Sequence, residues 1–391
     1  MGVRVADILR AGPCTAFQRG IPPVVHRAYQ AIIGCHTARM GGHAVVCPKG
    51  HVEFVAYNAC RNRNCPHCAG YRIRRWLESK AQTLLGCPHH HIIFTIPHEL
   101  NGLWLLNYKP LAELLFRSAR AALFELALDV RYLGAQPGAF MALHTWGQQL
   151  ALHPHVHCLV TAGGADSQRR WLPARRKSLL PAQPLKKLFQ KKFLYGLRGL
   201  AMEATLRLPD GWTSRQLLEL CHQLQNKRWN VRVCERYENP KAVLSYLGRY
   251  LNGGPMAERR LLDFDGQRVT FRYKDYRDIG PEGPREKVMQ LERDKFVRRY
   301  LQHVPPNRFH MVRGYGLYRH GGNSGQIRHL LRQIMPLHPE LQQLLEPEPE
   351  PLLRDKPPED DSDGMQCCSV CGSPLDAIWL SPRAGPLRMA A

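Results

Sequence analysis

The apolar positions between about residues 87 and 320 follow two different periods. Continuous or alternating apolar runs predict strands at "HIIFTIP" (91–97), "AFMALHTW" (139–146), "HVHCLVTA" (155–162), "NVRVCERY" (230–237) and "RVTFRYKDY" (268–276). Apolar residues at helical spacing predict helices at "LAELLFRSARAALFELAL" (111–128) and "PLKKLFQKKFLYGL" (184–197). Strands mixed with helices predict one layered domain with both element types.

The two ends of the chain lack this periodicity. The first 85 residues are crowded with Cys, His, Gly and Arg, which is typical of a small module held by a metal instead of a hydrophobic core. Beyond residue 320, the segment 340–364 carries nine acidic and two basic side chains. We therefore expect regions 1–85, 86–320 and 321–391, the last a linker with a partly disordered tail. Cys368 and Cys371 in that tail are expected to be a free end, or to share a metal between two chains.

The formal net charge of +23 favours a polyanionic partner such as DNA or RNA over simple solubility by surface charge. The sequence contains neither an apolar run long enough to span a membrane nor a signal-like N-terminus, so we expect a cytoplasmic protein that acts at the nucleoid. In that compartment thiols stay reduced, and paired cysteines are better explained as metal ligands than as disulfides.

Three histidines occupy alternate positions of the segment "LHPHVHCLV", residues 152–160. Because strand side chains alternate, His153, His155 and His157 would share one face. Pro154 removes a ladder donor, so the paired strand should begin near His155. His155 and His157 could then hold one divalent cation, although such a pair also arises by chance among 19 histidines.

Residues 239–254, "NPKAVLSYLGRYLNGG", predict a well-bounded helix that begins at Asn239 and ends at a pair of glycines. Tyr246 and Tyr250 lie one turn apart at the edge of its apolar stripe, with Arg249 just beyond them. Amphipathic packing would explain the two rings. The alternative is nucleophilic catalysis, in which a cation at the histidine pair and Arg249 neutralise phosphate charge while a phenol attacks.

The joint pattern resembles the HUH endonucleases, in their two-tyrosine branch of rolling-circle transposases. "HPHVHCLV" is followed about ninety residues later by "YLGRY". Across residues 30–320, bacterial insertion-sequence transposases are similar at "CRNRNCPHC", "FTIPHEL", "LHTWGQQL", "VTFRYKDYRD" and "HVPPNRFHMVRGYG". The resemblance implies an α+β fold, with a central antiparallel sheet flanked by helices and preceded by a small zinc-binding, DNA-binding domain.

The resemblance also implies a chemistry. Its metal-binding histidines fall on His155 and His157, and its nucleophiles on Tyr246 and Tyr250. One tyrosine would cut single-stranded DNA without a nucleotide cofactor and leave a 5′-phosphotyrosine link, and the second would serve a further strand transfer. Magnesium or manganese is the implied cation, and related enzymes suggest a third polar ligand, for which Gln148 is our candidate and Gln149 the alternative.

Two other functions remain open at this point. A plasmid replication initiator or relaxase would use the same chemistry. A non-catalytic zinc-dependent DNA-binding protein would need only the N-terminal module.

The expected zinc ligands are Cys47, His51, Cys65 and Cys68. Cys65-x-x-Cys68 has the spacing of two thiolates on one tetrahedral zinc. Family members usually carry a second Cys-x-x-Cys here, but this chain has Gly50 at the fourth position, so His51 is predicted to substitute. Cys60 is the competing ligand, and the remaining alternatives are Cys35, His36 and His43.

Basic residues interleaved with aromatic ones, at 269–278 and 307–319, predict contacts to DNA, because cations neutralise phosphates while rings stack on unpaired bases. Basic residues within the zinc module and beside the two tyrosines add to this set. Solvated basic faces of half-buried strands would give the same pattern. The residues predicted to contact DNA are Arg61, Arg63, Arg249, Arg272, Lys274 and Arg313.

Overall fold

A computed structural model of the chain describes residues 2–12, 21–81, 83–175, 178–238, 243, 254–321, 323–335 and 367–382. The strands are β1 (Gly42–Val46), β2 (Val52–Tyr57), β3 (His89–Thr95), β4 (Gly138–Trp146), β5 (Leu152–Thr161), β6 (Gly163–Ala165), β7 (Trp171–Pro173), β8 (Asn230–Tyr237), β9 (Leu261–Phe264), β10 (Arg268–Gly280), β11 (Gly283–Glu292), β12 (Val312–Gly316) and β13 (Asp376–Leu380). The helices are α1 (Val5–Arg10), α2 (Pro23–Gly34), α3 (Ala69–Ala81), α4 (Asn101–Leu106), α5 (Tyr108–Leu128), α6 (Ala182–Met202), α7 (Ser214–Gln225), α8 (Arg293–Leu301) and α9 (Asn323–Ile334).

The central sheet has five antiparallel strands in the order β12-β4-β5-β3-β8. One face packs on α5 and α6, because alternate residues of β5, Val156, Cys158 and Val160, are fully buried in the same apolar core as Phe189 and Phe193 of α6. The opposite face carries a smaller apolar cluster that includes Phe140, Leu159 and Tyr318. The imidazoles of β5 belong to this second face, since they alternate with the core residues.

A second sheet, in the order β11-β10-β9, packs with α8 and with the first helices of the chain. Its core joins Val5 and Ile8 of α1 to Phe271 of β10 and Phe296 of α8. Arg293, only 8% exposed, donates a hydrogen bond from Nε to the carbonyl of Ile8 at 3.0 Å. The N-terminal residues therefore share a core with residues 256–304, and the predicted boundary at residue 85 does not divide two separate cores.

The third sheet joins the two ends of the chain, in the order β13-β1-β2. The antiparallel register pairs Gly42 with Leu380 and Val46 with Asp376. The expectation of a free Cys-containing end is thus wrong for residues 367–382, which form the edge strand of the N-terminal module and the turn before it. Residues 336–366, including the acidic segment, lie outside the described residues.

These sheets confirm the predicted α+β class, with antiparallel sheets flanked by helices and clustered cysteines toward the N-terminus. Among the residues that the structure describes, no helix is both long and apolar enough to cross a membrane.

Candidate functional site

Three histidines converge on the face of the central sheet that α5 and α6 leave uncovered. His155 and His157 come from β5, and His144 comes from β4, where the register places it directly opposite His155. One ring nitrogen from each of the three lies within 4.8 Å of the other two. The predicted pair is therefore brought together with a third imidazole, His144, which was not among the predicted ligands.

The hydrogen bonds around these rings orient their lone pairs. His155 Nδ1 lies 2.7 Å from the carbonyl oxygen of His153. Because a carbonyl oxygen can only accept, Nδ1 carries the proton, and Nε2 of the neutral ring has an available lone pair. His157 Nδ1 lies 3.0 Å from Nε2 of His91 on β3. The Nε2 atoms of His155 and His157 are 2.9 Å apart. Partners of this kind orient metal-ligating imidazoles.

Burial keeps these imidazoles neutral. His155 and His157 are 8% and 5% exposed, and this desolvation, reinforced by the neighbouring His144, holds the pKa of each ring well below its ordinary value. Burial likewise lowers the pKa of His91 to about 3. Neutral imidazoles offer lone pairs to a cation, so the cluster fits a divalent metal, with a donor set closer to the preference of transition metals than to that of magnesium.

Gln148, the predicted third ligand, makes its hydrogen bonds to another part of the molecule. Its Oε1 accepts from the backbone N–H of Lys274 on β10 at 3.4 Å, and its carbonyl accepts from the guanidinium of Arg260. The carbonyl of Gln149 accepts from Arg299 Nη1 at 3.0 Å. Both residues belong to the β4–β5 turn, which the second sheet and α8 hold in place. His144 therefore replaces Gln148 as the candidate third ligand.

A sequence signal for His144 did exist, in the spacing of the β4–β5 hairpin. "LHTW" and "HPHVH" are separated by a short turn, so a histidine near the end of β4 faces one near the start of β5. His144 also stacks on Trp146, with ring centroids 4.4 Å apart.

The predicted nucleophiles Tyr246 and Tyr250, and Arg249 beside them, lie outside the described residues. Of residues 239–253, the structure describes Val243, which is helical and 1% exposed. Val243 belongs to the apolar cluster of Phe140 and Leu159, and Leu159 follows His157 by two positions on β5. The predicted tyrosine helix therefore has a described residue on the same sheet face as the histidines.

Four cysteines form a tight cluster in the N-terminal module. They are Cys35, Cys60, Cys65 and Cys68, and all four sulfurs lie within 4.8 Å of one another. The Sγ of Cys68 is 3.5 Å from that of Cys35 and 3.7 Å from that of Cys60. Ligands of a tetrahedral zinc with Zn–S bonds of about 2.3 Å would be about 3.8 Å apart, so this cluster fits a structural zinc.

The predicted ligand set of Cys47, His51, Cys65 and Cys68 is split between two clusters. Cys65 and Cys68 join Cys35 and Cys60, whereas Cys47 and His51 lie with Cys368 and Cys371 of the tail. The reason is the antiparallel pairing of β1 with β13, because Val46 pairs with Asp376 and the turn after β1 therefore lies beside the residues that precede β13. From the sequence, Cys60 and Cys35 were predicted only as alternative ligands.

The basic residues predicted to contact DNA differ in their surroundings. Arg61, Arg272 and Lys274 are exposed, and Arg272 Nη1 lies 3.5 Å from Glu286. Arg63 donates from Nη1 to the carbonyl of Phe309 at 3.0 Å, which ties the module to the central domain.

Arg313 is already paired. Its two terminal nitrogens lie 2.6 and 2.5 Å from the carboxylate of Glu113, and its guanidinium is 4.2 Å from the centre of the Phe116 ring. This arrangement is that of a structural ion pair, so Arg313 is a poor candidate for phosphate binding.

Comparisons with known proteins agree with this organisation. A family model described as "Putative transposase" matches residues 138–325, and one described as "Transposase zinc-binding domain" matches residues 9–96. The chain is 35% identical to "Putative transposase y4qJ" of Sinorhizobium fredii over 355 residues, which cover 87% of each chain. It is 31% identical to "Transposase for insertion sequence element IS801" of Pseudomonas savastanoi pv. phaseolicola over 301 residues, 73% of this chain and 66% of that protein.

No solved structure matches the chain. The two family models fall on the module with the cysteine cluster and on the region with the histidine strand, in the order that the motifs predicted. The chain belongs to the family of insertion-sequence transposases that carry an N-terminal transposase zinc-binding domain.

Proposed function

We propose that this transposase cuts and rejoins single-stranded DNA through a tyrosine, in a rolling-circle transposition reaction. The observation that carries the proposal is the position of Val243 in the cluster beside Leu159, on the face of the sheet where His144, His155 and His157 converge. Tyr246 and Tyr250 follow Val243 by one and two helical turns if the helix continues as its sequence predicts. The phenols and the imidazoles would then act on one phosphodiester.

Each side chain of the site has a proposed role. His144, His155 and His157 would hold a divalent cation, magnesium or manganese by family resemblance, and His91 would position His157. When bound, such a cation would polarise the scissile phosphate and neutralise developing charge. Arg249 would contribute a second positive charge to the same phosphate.

The proposed step transfers the phosphoryl group to a tyrosine. The phenol of Tyr246 or Tyr250 releases its proton to water and its oxygen attacks phosphorus, while the bond from phosphorus to the 3′ oxygen of the preceding nucleotide breaks. The leaving oxygen takes a proton and becomes a free 3′-hydroxyl, while the 5′ phosphate stays linked to the protein. No nucleotide cofactor is needed, because the phosphotyrosine bond conserves the energy for rejoining.

We further propose that the zinc-binding module grips DNA at the ends of the mobile element, in the cytoplasm at the nucleoid. A zinc at Cys35, Cys60, Cys65 and Cys68 would be structural, since four protein ligands leave no position open for water. Arg61 and the exposed basic residues of β10 are the proposed phosphate contacts.

The test is formation of a covalent protein–DNA adduct. Full-length protein is incubated with Mn²⁺ and labelled single-stranded DNA from the flanks of its own gene, and the products are separated in SDS. We expect a shifted band with the wild type, and none with Tyr246→Phe combined with Tyr250→Phe, although DNA binding is retained. Tyr195→Phe is the matched control, because Tyr195 is 79% exposed on α6 and should leave the adduct intact.

Two outcomes would redirect the proposal. An adduct that survives in the double variant would mean that neither tyrosine is the nucleophile. If the wild type binds DNA normally but forms no adduct, a non-catalytic DNA-binding protein is favoured. A replication initiator or relaxase would give the same adduct, so an assay of excision and integration in cells distinguishes these functions.

A further inference from the structure

Two short turns from opposite ends of the chain meet beside the third sheet. Residues 47–51 connect β1 to β2, and residues 368–372 precede β13. Each turn contains a glycine with positive φ, Gly50 at 86° and Gly372 at 68°. Each is closed by a backbone hydrogen bond, from Gly50 N to Cys47 O at 2.9 Å and from Gly372 N to Cys368 O at 2.9 Å.

The sheet register explains why the turns meet. β1 ends at Val46, one residue before Cys47, and β13 starts at Asp376, shortly after Cys371. Because the two strands are antiparallel and Val46 pairs with Asp376, the end of one strand lies beside the start of the other. A further contact joins the C-terminal turn to β2, since Ser369 N donates to Glu53 Oε1 at 2.5 Å.

The side chains of these turns present four donor atoms to one point. Cys47, His51, Cys368 and Cys371 place three sulfurs and one ring nitrogen within 4.8 Å of one another. Cys47 Sγ is 3.6 Å from Cys371 Sγ and 3.4 Å from His51 Nδ1, and Cys368 Sγ is 3.7 Å from His51 Nδ1. These separations exceed a disulfide bond of about 2.05 Å, and they match the edges of a tetrahedron around zinc.

We propose that Cys47, His51, Cys368 and Cys371 bind a second structural zinc ion, which fastens the C-terminal strand to the N-terminal module. Three thiolates and one imidazole form a known structural zinc set. Cys47 and Cys368 are each 3% exposed, as expected for a closed site without a water ligand. The matched zinc-binding domain ends at residue 96, so half of this site lies outside it.

The first test is the zinc content of the full-length protein. Cys368→Ser combined with Cys371→Ser should lose about one zinc ion per chain relative to the wild type, measured by mass spectrometry of the metal. Cys65→Ser combined with Cys68→Ser should lose a different one. Cys367→Ser is the matched control, because Cys367 is exposed, lies next to the cluster and is not part of it. Unchanged zinc content in the Cys368/Cys371 variant would overturn the proposal.

A second measurement keeps every cysteine of the two clusters in place. Cobalt replaces zinc in the wild-type chain, and the visible spectrum distinguishes a site of four sulfurs from one of three sulfurs and one nitrogen. We expect both spectra, each at one equivalent per chain. His51→Cys should keep both equivalents and convert the second spectrum into the first. A wild-type spectrum of four-sulfur sites alone would rule out the proposed ligand set.

A third test measures whether zinc holds the C-terminal strand on the N-terminal module. A protease site is placed between residues 350 and 360 of the full chain, and the chain is cut there. We expect the fragment that begins after the cut to remain bound in the presence of zinc and to dissociate when a chelator is added. Dissociation that is equally fast with and without the chelator would contradict the proposal.

Discussion

His144 is a candidate metal ligand because of the strand with which its own strand pairs. Its ring lies among the β5 imidazoles only because the β4–β5 register places it opposite His155. Gln148, four residues later, has turned away toward β10. Position across the sheet, and not proximity along the chain, therefore decides which side chain completes the set of three.

His144 and Gln148 can be separated by substitution. We expect His144→Ala to lower DNA cleavage by more than the roughly 10–100-fold that follows loss of a partner outside the metal's own ligands. Gln148→Ala should retain cleavage near the wild-type rate, because the side chain of Gln148 accepts a hydrogen bond from the backbone N–H of Lys274. The measurement is the initial rate of adduct formation with Mn²⁺, with DNA binding measured in parallel.

The opposite result, a large loss with Gln148→Ala and none with His144→Ala, would restore the glutamine as third ligand.

At this scale the sequence revealed residues whose partners are near in the chain. His155 and His157 lie two positions apart, and Cys65 and Cys68 three, so their pairing needs only local geometry. Cys35 follows the last residue of α2, and its sulfur lies 3.5 Å from that of Cys68. Cys371 and Cys47, whose sulfurs are also neighbours, are 324 residues apart in the chain. Such partners are set by tertiary packing, which spacing alone does not encode.

At the scale of elements, the segment around β12 depends on close backbone packing. Gly316 has φ of 57°, and a side chain there would lie 2.6 Å from the Phe124 ring and closer still to the carbonyl of Pro137. β12 is an edge strand of the central sheet, held to β4 from Val312 to Gly316. The glycine lets the chain leave the sheet without displacing α5, which carries Phe124.

We expect Gly316→Ala to destabilise the protein by about 1–3 kcal/mol from the backbone conformation, with a further penalty from the steric conflict. Gly199→Ala is the matched control, because a Cβ there meets nothing within 4 Å and Gly199 lies in α6. That control should be neutral or stabilise by up to about 1 kcal/mol. Urea unfolding of both variants provides the measurement, and equal midpoints would contradict the packing argument.

Five strands and two helices of the central domain were predictable from apolar periodicity. The predicted helices at 111–128 and 184–197 correspond to α5 (Tyr108–Leu128) and α6 (Ala182–Met202), because each buries a continuous stripe. The strands that were missed include β1, β2 and β13 of the third sheet. β2 and β13 are partly exposed, and all three are short, so their patterns lack the alternation of a strand with one fully buried face.

At the scale of the whole molecule, the net charge of +23 should make DNA binding strongly dependent on salt. Each phosphate contact on a single strand contributes a slope of about −0.7 to the logarithm of affinity against that of salt. We expect Lys274→Ala to reduce the slope by about this amount. Arg313→Met should leave the slope unchanged, because Glu113 already neutralises that guanidinium.

Fluorescence anisotropy of labelled single-stranded DNA between 50 and 200 mM NaCl would measure both slopes. An affinity that does not change with salt would contradict an electrostatic contribution to binding, and a change with Arg313→Met as large as that with Lys274→Ala would assign Arg313 to the DNA surface.

The pairing of β1 with β13 has a consequence for the nascent protein. β1 is complete at Val46, but its neighbour on this side is complete only at Leu380, 334 residues later. At translation rates of about 5–20 residues per second, that interval is roughly 17–67 s. During it, one edge of β1 has no native partner, and an unpaired edge is a template for association with another chain. When several ribosomes translate one message, the N-terminal modules of neighbouring unfinished chains are therefore exposed to each other before their own last strand exists.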